Sequence, residues 1–183
     1  VQGYNRPMLF DGSNDYVQVT SDGSADFANQ SFTVAGWINL PDGTPSADRT
    51  LFSYDYTSHV NPYYAIQIRF VATGRLYFMW NNGTTYYNIY KDAAVTDSVW
   101  HHYACTFTSG SQKIYIDGVQ VASGTRADTI TYYNQEVWIG RSNYGGYFKG
   151  LMNEVVVYNS ALTLAQVQVL AATGPNGGPL PPD

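Results

Sequence analysis

Residues 100–124, WHHYACTFTSGSQKIYIDGVQVASG, constrain the fold more than any other stretch. Trp100, His102, Ala104 and Thr106 fall on one side of a period of two, and His101, Tyr103, Cys105 and Phe107 on the other, which is the pattern of a β-strand. Ser109-Gly110-Ser111-Gln112 breaks the pattern and Lys113 to Ile116 resumes it. Asp117-Gly118 suits a two-residue hairpin turn, whose central residues both need positive φ, and Val119 to Ala122 returns. These residues predict an antiparallel meander, and the rest of the chain must build on it.

Similar runs recur along the sequence. Residues 8–10 lead into the turn-rich Asp11-Gly12-Ser13-Asn14-Asp15, and residues 16–19 follow as a strand. Residues 31–39, 51–54, 65–70, 76–80, 86–90, 136–140 and 148–158 read as further strands, with Thr73-Gly74 and Asn82-Gly83 as turns. Thr163-Leu164-Ala165-Gln166 is a capping box that opens a short helix through Val167, Leu170 and Ala171, closed by Gly174 and Pro175. Strands with no interleaved helices predict an all-β fold, a sandwich or jelly roll of two packed antiparallel sheets with one short C-terminal helix.

A chain of 183 residues suits one domain with a real core. Hydrophobic residues make up 44% and charged residues 13%, with 17 tyrosines, so neutral polar and aromatic surface replaces charge. A net charge of −5 with nine Lys and Arg and no basic patch argues against nucleic-acid binding. Cys105 lies within a strand run and reads as a small buried hydrophobe. No apolar run reaches the roughly 18 residues of a membrane span, so no membrane insertion is expected. The first residues, VQGYNRPM, lack the form of a signal peptide, which in a secreted protein would have been removed or would lie upstream of an excised module. Residues 1–173 read as the domain and 174–183, rich in Pro and Gly, as a linker to other domains of the same polypeptide. Asn29-Gln30-Ser31 and Asn82-Gly83-Thr84 are N-glycosylation triplets.

Several segments together resemble the laminin G-like, concanavalin A-like jelly-roll family of lectins and carbohydrate-binding modules. They are LFDGSNDYV at 9–17, FTVAGWI at 32–38, WHHYACTF at 100–107, IYIDGV at 114–119 and KGLMNEVVVYNSAL at 149–162. The resemblance covers nearly the whole chain to about Ala172. It implies two curved antiparallel sheets, often a structural calcium, frequent glycan binding, and a secreted or cell-surface setting. Asn153 stands where the family often has Asp, which leaves an uncharged oxygen ligand.

For calcium, which takes six to eight oxygens, the candidates are Asp11, Gly12, Asn14 and Asp15, with Asn153 brought alongside by the family resemblance. The alternative is that Asp11 and Asn14 make side-chain turn hydrogen bonds. For a polysaccharide or glycoconjugate glycan, the candidates are aromatics that stack on sugar rings, flanked by polar groups. These are Tyr54, Tyr56, His59, Tyr63, Tyr64, Trp80, Tyr86, Tyr87, Arg141, Asn143, Tyr144 and Tyr147. Trp37, Trp100 and Trp138 read as core, and Trp80, beside the Asn82-Gly83 turn, as the exposed tryptophan.

The expected function is a non-catalytic carbohydrate-binding module of a larger secreted enzyme or adhesin. A protein-interaction module without a glycan site is the alternative, because tyrosine-rich surfaces also serve protein interfaces. A polysaccharide-degrading enzyme stands third. The glutamates Glu136 and Glu154 have no acid two or four residues away, as a carboxyl pair on one strand would require. Gln67-Ile68-Arg69 and Tyr147-Phe148-Lys149 resemble alginate-lyase segments only in part, with Arg in place of His, and read as coincidence.

Overall fold

The computed structural model describes residues 6–19, 30–42, 47–56, 63–92, 95, 98–132, 135–143 and 145–175. In chain order the strands are β1 (Met8–Asp11), β2 (Val17–Val19), β3 (Ser31–Asn39), β4 (Arg49–Tyr56), β5 (Tyr64–Phe70), β6 (Leu76–Asn81), β7 (Tyr86–Lys91), β8 (Trp100–Thr108), β9 (Ser111–Ile116), β10 (Val119–Gly124), β11 (Gln135–Ile139) and β12 (Lys149–Tyr158), and the helix is α1 (Leu164–Ala172).

The meander forms as its sequence requires: β8, β9 and β10 are antiparallel neighbours, and Asp117 and Gly118 at the hairpin have φ of 50° and 75°. Asp117 also locks the hairpin from outside, accepting the His102 N–H at 2.8 Å while its other oxygen meets His101 Nδ1 at 2.7 Å. The paired histidines are therefore structural. Two six-stranded sheets result, one in the order β1-β12-β3-β8-β9-β10 and the other in the order β2-β11-β4-β5-β6-β7. All named pairings are antiparallel.

The core lies between the sheets because each strand turns its apolar alternates inward. Phe32, Val34, Ile38, Cys105 and Phe107 meet Phe52, Tyr54, Ile66, Ile68, Phe78, Trp80 and Val137. Phe32 stacks on Phe107 at 5.4 Å and meets Phe78 edge-on at 6.2 Å, while Trp80 meets Phe107 edge-on at 5.7 Å. Burial pushes the Cys105 thiol up, away from thiolate chemistry.

A second, smaller apolar layer covers the outer face of the first sheet. Ala35, Ala104 and Tyr115 align across β3, β8 and β9, and Leu162, Val167 and Leu170 pack on them. Thr163 caps α1 with the expected reciprocal bonds to Gln166, and Thr33 Oγ1 holds the approach by accepting the Leu162 N–H at 2.9 Å and donating to the Ser160 carbonyl at 2.8 Å. The small side chains of Ala35 and Ala104 admit the helix; the second sheet carries no helix on its outer face among the described residues.

The tryptophans correct the sequence reading. Trp80 is fully buried at the centre of the core, because it lies on β6 in phase with Leu76 and Phe78 rather than in the turn beyond. Trp37 and Trp138 are buried, yet each lies on an outer face: Trp37 against His102, Trp138 against Tyr16. Trp100, at the start of β8, is half-buried.

Candidate functional site

The outer face of the second sheet is built from the polar alternates of strands whose other alternates fill the core. Register places Trp138, Ser53, Gln67, Met79 and Asn88 in one row across β11, β4, β5, β6 and β7. Four strand spacings make this row roughly 19 Å long. A parallel row holds Thr50, Arg69, Tyr77 and Tyr90, with Tyr77 and Tyr90 stacked at 5.0 Å.

Two groups in the first row are under-satisfied. Gln67 is 2% exposed and its Oε1 is buried with no hydrogen-bond partner; Trp138 is 6% exposed and its Nε1 is likewise unpartnered. An orphaned buried polar group costs about 1–3 kcal/mol, so its retention calls for an explanation. One is an acceptor and the other a donor, which together match a hydroxylated ligand.

Aromatic groups flank the row at both ends. At the β5–β7 end Tyr64 packs on Tyr86 at 4.9 Å, its hydroxyl 3.9 Å from the Met79 sulfur, and the Tyr63 N–H donates to the Tyr86 hydroxyl at 2.7 Å. Burial raises the pKa of both Tyr64 and Tyr86, so both stay neutral hydroxyls able to donate and accept. At the other end Tyr16 lies 5.1 Å from Trp138. Gly140, with φ of 86°, ends β11; a Cβ there would come within 2.5 Å of the Phe10 ring. Beyond this turn the Arg141 guanidinium lies over the Trp138 ring at 4.3 Å, the Tyr16 ring at 4.8 Å and the Tyr147 ring at 5.5 Å.

Between these ends sits Asp55, wholly buried. Its carboxylate accepts from the Ser53 hydroxyl and, at 2.5 Å, from the Asn143 N–H. Glu136 is its cross-strand partner on β11. A carboxyl pair thus exists across strands, where a search along one strand could not find it. Both Asp55 oxygens accept hydrogen bonds inside the protein, so Asp55 positions Ser53 and the Asn143 loop.

The predicted glycan residues divide by strand phase. Tyr63, Tyr64 and Tyr86 belong to the outer face, and Arg141, Asn143 and Tyr147 to its far end. Tyr54 and Trp80 belong to the core, and Tyr87, opposite Trp80, packs against that core beneath Arg126. These three are corrections: each lies in a strand whose alternation turns it inward. His59 and Tyr144, and the side chain of Tyr56, lie outside the described residues. Ser53, Asp55, Gln67, Tyr16 and Trp138 were missed. The signal for the first three was present, since polar residues alternating with apolar ones in β4 and β5 mark a second, polar face.

The proposed metal ligands do not converge. Asp11 pairs with Lys149 and Met8 with Met152, so Asn153 lies beyond the far end of β1, roughly 13 Å along β12 from the Asp11 level. There its Nδ2 donates to the Pro175 carbonyl. Asp11 Oδ1 accepts the N–H groups of Ser13 at 2.7 Å and Asn14 at 3.3 Å, which lower its pKa, and Asp15 Oδ2 accepts the Asp11 N–H at 2.9 Å. Asp11, Gly12, Asn14, Asp15 and Asn153 therefore do not fit one calcium cage, and no cluster of three or more His, Cys, Asp or Glu suited to a metal occurs among the described residues.

A family model described as the concanavalin A-like lectin/glucanases superfamily matches residues 11–168. No curated protein matches the chain by sequence. Among solved structures, the CBM40 of a Ruminococcus gnavus sialidase, bound to α2,3 sialyllactose, is similar with a TM-score of 0.74 at 15% identity, over 92% of this chain and 100% of that one. The binding domain of botulinum neurotoxin DC has a TM-score of 0.70 at 13% identity, over 92% of this chain and 44% of that one, so this chain spans under half of that protein's length. A pentraxin from Limulus polyphemus has a TM-score of 0.64 at 15% identity, over 89% of this chain and 80% of that one. At these identities the likeness is one of fold.

Proposed function

Because the chain belongs to the concanavalin A-like lectin/glucanase superfamily, we propose that it is a non-catalytic carbohydrate-binding module that holds a polysaccharide or glycoconjugate glycan on the outer face of its second sheet. The observation that carries this reading is the row from Trp138 to Met79, where a buried indole N–H and a buried amide oxygen lack partners between two aromatic clusters. Sugar hydroxyls supply both missing partners, and exposed rings such as Tyr16 and Tyr63 offer apolar faces to the C–H side of a pyranose. The sialidase module, similar over its whole length, was solved with a sialylated trisaccharide, which supports a glycan as the ligand class.

Residues 174–183 serve in this proposal as a tether to other domains of a secreted or cell-surface polypeptide. A tether makes a second engagement nearly intramolecular, so weak sites suffice. The proposal does not rest on calcium, because Asn153 lies roughly 13 Å along β12 from the Asp11 level. Nor does it rest on catalysis: a retaining glycosidase needs a carboxylate free to attack the anomeric carbon, and both oxygens of buried Asp55 are already engaged.

The test is affinity electrophoresis and calorimetry of the chain against a panel of polysaccharides, with Trp138→Ala and Tyr64→Ala as variants. Binding that both variants weaken is expected. Absence of binding to every member of the panel overturns the proposal and leaves a protein-interaction module.

A further inference from the structure

Resting on the glycan-binding reading, we infer that the ligand is an acidic sugar, with its oxyanion held between the Arg141 guanidinium and the Trp138 N–H. Four arginines of the chain are paired with aspartates: Arg49 with Asp42, Arg69 with Asp48, Arg75 with Asp92 and Arg126 with Asp128. Arg141 has no carboxylate partner among the described residues. Its guanidinium lies on three aromatic faces, those of Trp138, Tyr16 and Tyr147, and its Nε donates to the Ser142 carbonyl at 3.2 Å.

This arrangement fixes a cation without neutralising it. Aromatic faces attract the guanidinium but offer no in-plane acceptor, so the edge of the fork is left for a ligand. Beside it the Trp138 Nε1 is a second donor, buried and unpartnered. Two donors, one of them charged, match a carboxylate or a sulfate ester better than a neutral hydroxyl, which must also donate. Net charge works against a polyanion everywhere else on the surface. The chain carries −5, so a polyanion meets general repulsion and gains only where an uncompensated cation is held.

The experiment uses the full chain and five polymers: polygalacturonate and polysialate as carboxylates, dextran sulfate as a sulfate ester, and dextran and galactan as neutral controls. Binding to at least one acidic polymer is expected, weakening as salt is raised. Arg141→Gln should weaken it roughly tenfold or more, with partial recovery in Arg141→Lys, which keeps the charge and loses the fork. Trp138→Phe keeps the ring beneath Arg141 and removes only the N–H; it should weaken the same ligand while the melting temperature stays near that of the parent. Which acidic polymer binds separates carboxylate from sulfate. Binding confined to neutral polymers, or acidic binding unchanged in Arg141→Gln, overturns the inference and leaves the glycan-binding reading standing. Failure to bind all five overturns both.

Discussion

Replacing Gln67 by methionine should make the protein more stable and a weaker binder. Gln67 is 2% exposed at the middle of the outer row, and its Oε1 is buried with no partner. Leaving such an acceptor orphaned costs about 1–3 kcal/mol, and an apolar side chain of similar length and volume removes that cost. Imperfect packing of the methionine offsets part of the gain, so a net stabilisation of about 1 kcal/mol is expected. For a domain of this size that is a rise of about 2–4 °C in melting temperature, measurable by calorimetry or by urea titration followed by tryptophan fluorescence. In the proposed complex the same oxygen accepts from the ligand, and its loss should remove a hydrogen bond worth about 0.5–1.5 kcal/mol, or roughly two- to tenfold in affinity. The two effects have opposite signs. A residue kept only for packing would lose stability on replacement and leave binding alone, and that outcome would refute the reasoning.

Trp80→Ala should cost about 3–5 kcal/mol in urea unfolding, because the indole is fully buried among Phe78, Phe107 and Tyr87 and its removal opens a cavity. Desolvation holds His102 at a pKa of about 4 in the folded chain, below its ordinary value of 6.5, with Asp117 opposing weakly. The unfolded chain therefore takes up this proton first. Stability from this group is complete above about pH 6.5 and falls by about 1.4 kcal/mol per pH unit as pH drops toward 4. His102→Phe should flatten that acid limb, and a limb unchanged in the variant would assign it elsewhere. For the metal, EDTA should leave the melting temperature unchanged and added calcium should not raise it. Asn153→Asp should lower it, since a carboxylate cannot donate to the Pro175 carbonyl; stabilisation of that variant by calcium would restore a metal site at this strand.

Much of the architecture was legible in the chain because it rests on local rules. The alternation at residues 100–107, the positive φ demanded at Asp117-Gly118 and the reciprocal cap of Thr163 and Gln166 each involve neighbours in sequence, and each appears as read. The candidate site was less legible. A density of tyrosines marks candidates without saying which way each side chain turns, and the phase of β4 and β6 sets Tyr54 and Trp80 in the core. Trp138 was placed among core residues from its strand run, yet its phase sets it on the outer face, since Val137 and Ile139 take the inward positions.

What local sequence decides here is strand, turn and cap, because backbone conformation and side-chain alternation depend on residues close along the chain. Partnership across strands is another matter. That Asp55 stands beside Glu136, that Ser53 and Gln67 join Trp138 in one row, and that Asn153 reaches Pro175 rather than Asp11 follow from register, which is set by how two whole sheets bury their faces together. A shift of one residue in any of these strands would exchange its core face for its outer face. The composition of the outer face is thus written along the chain, while its assembly into a site exists only in the folded sandwich.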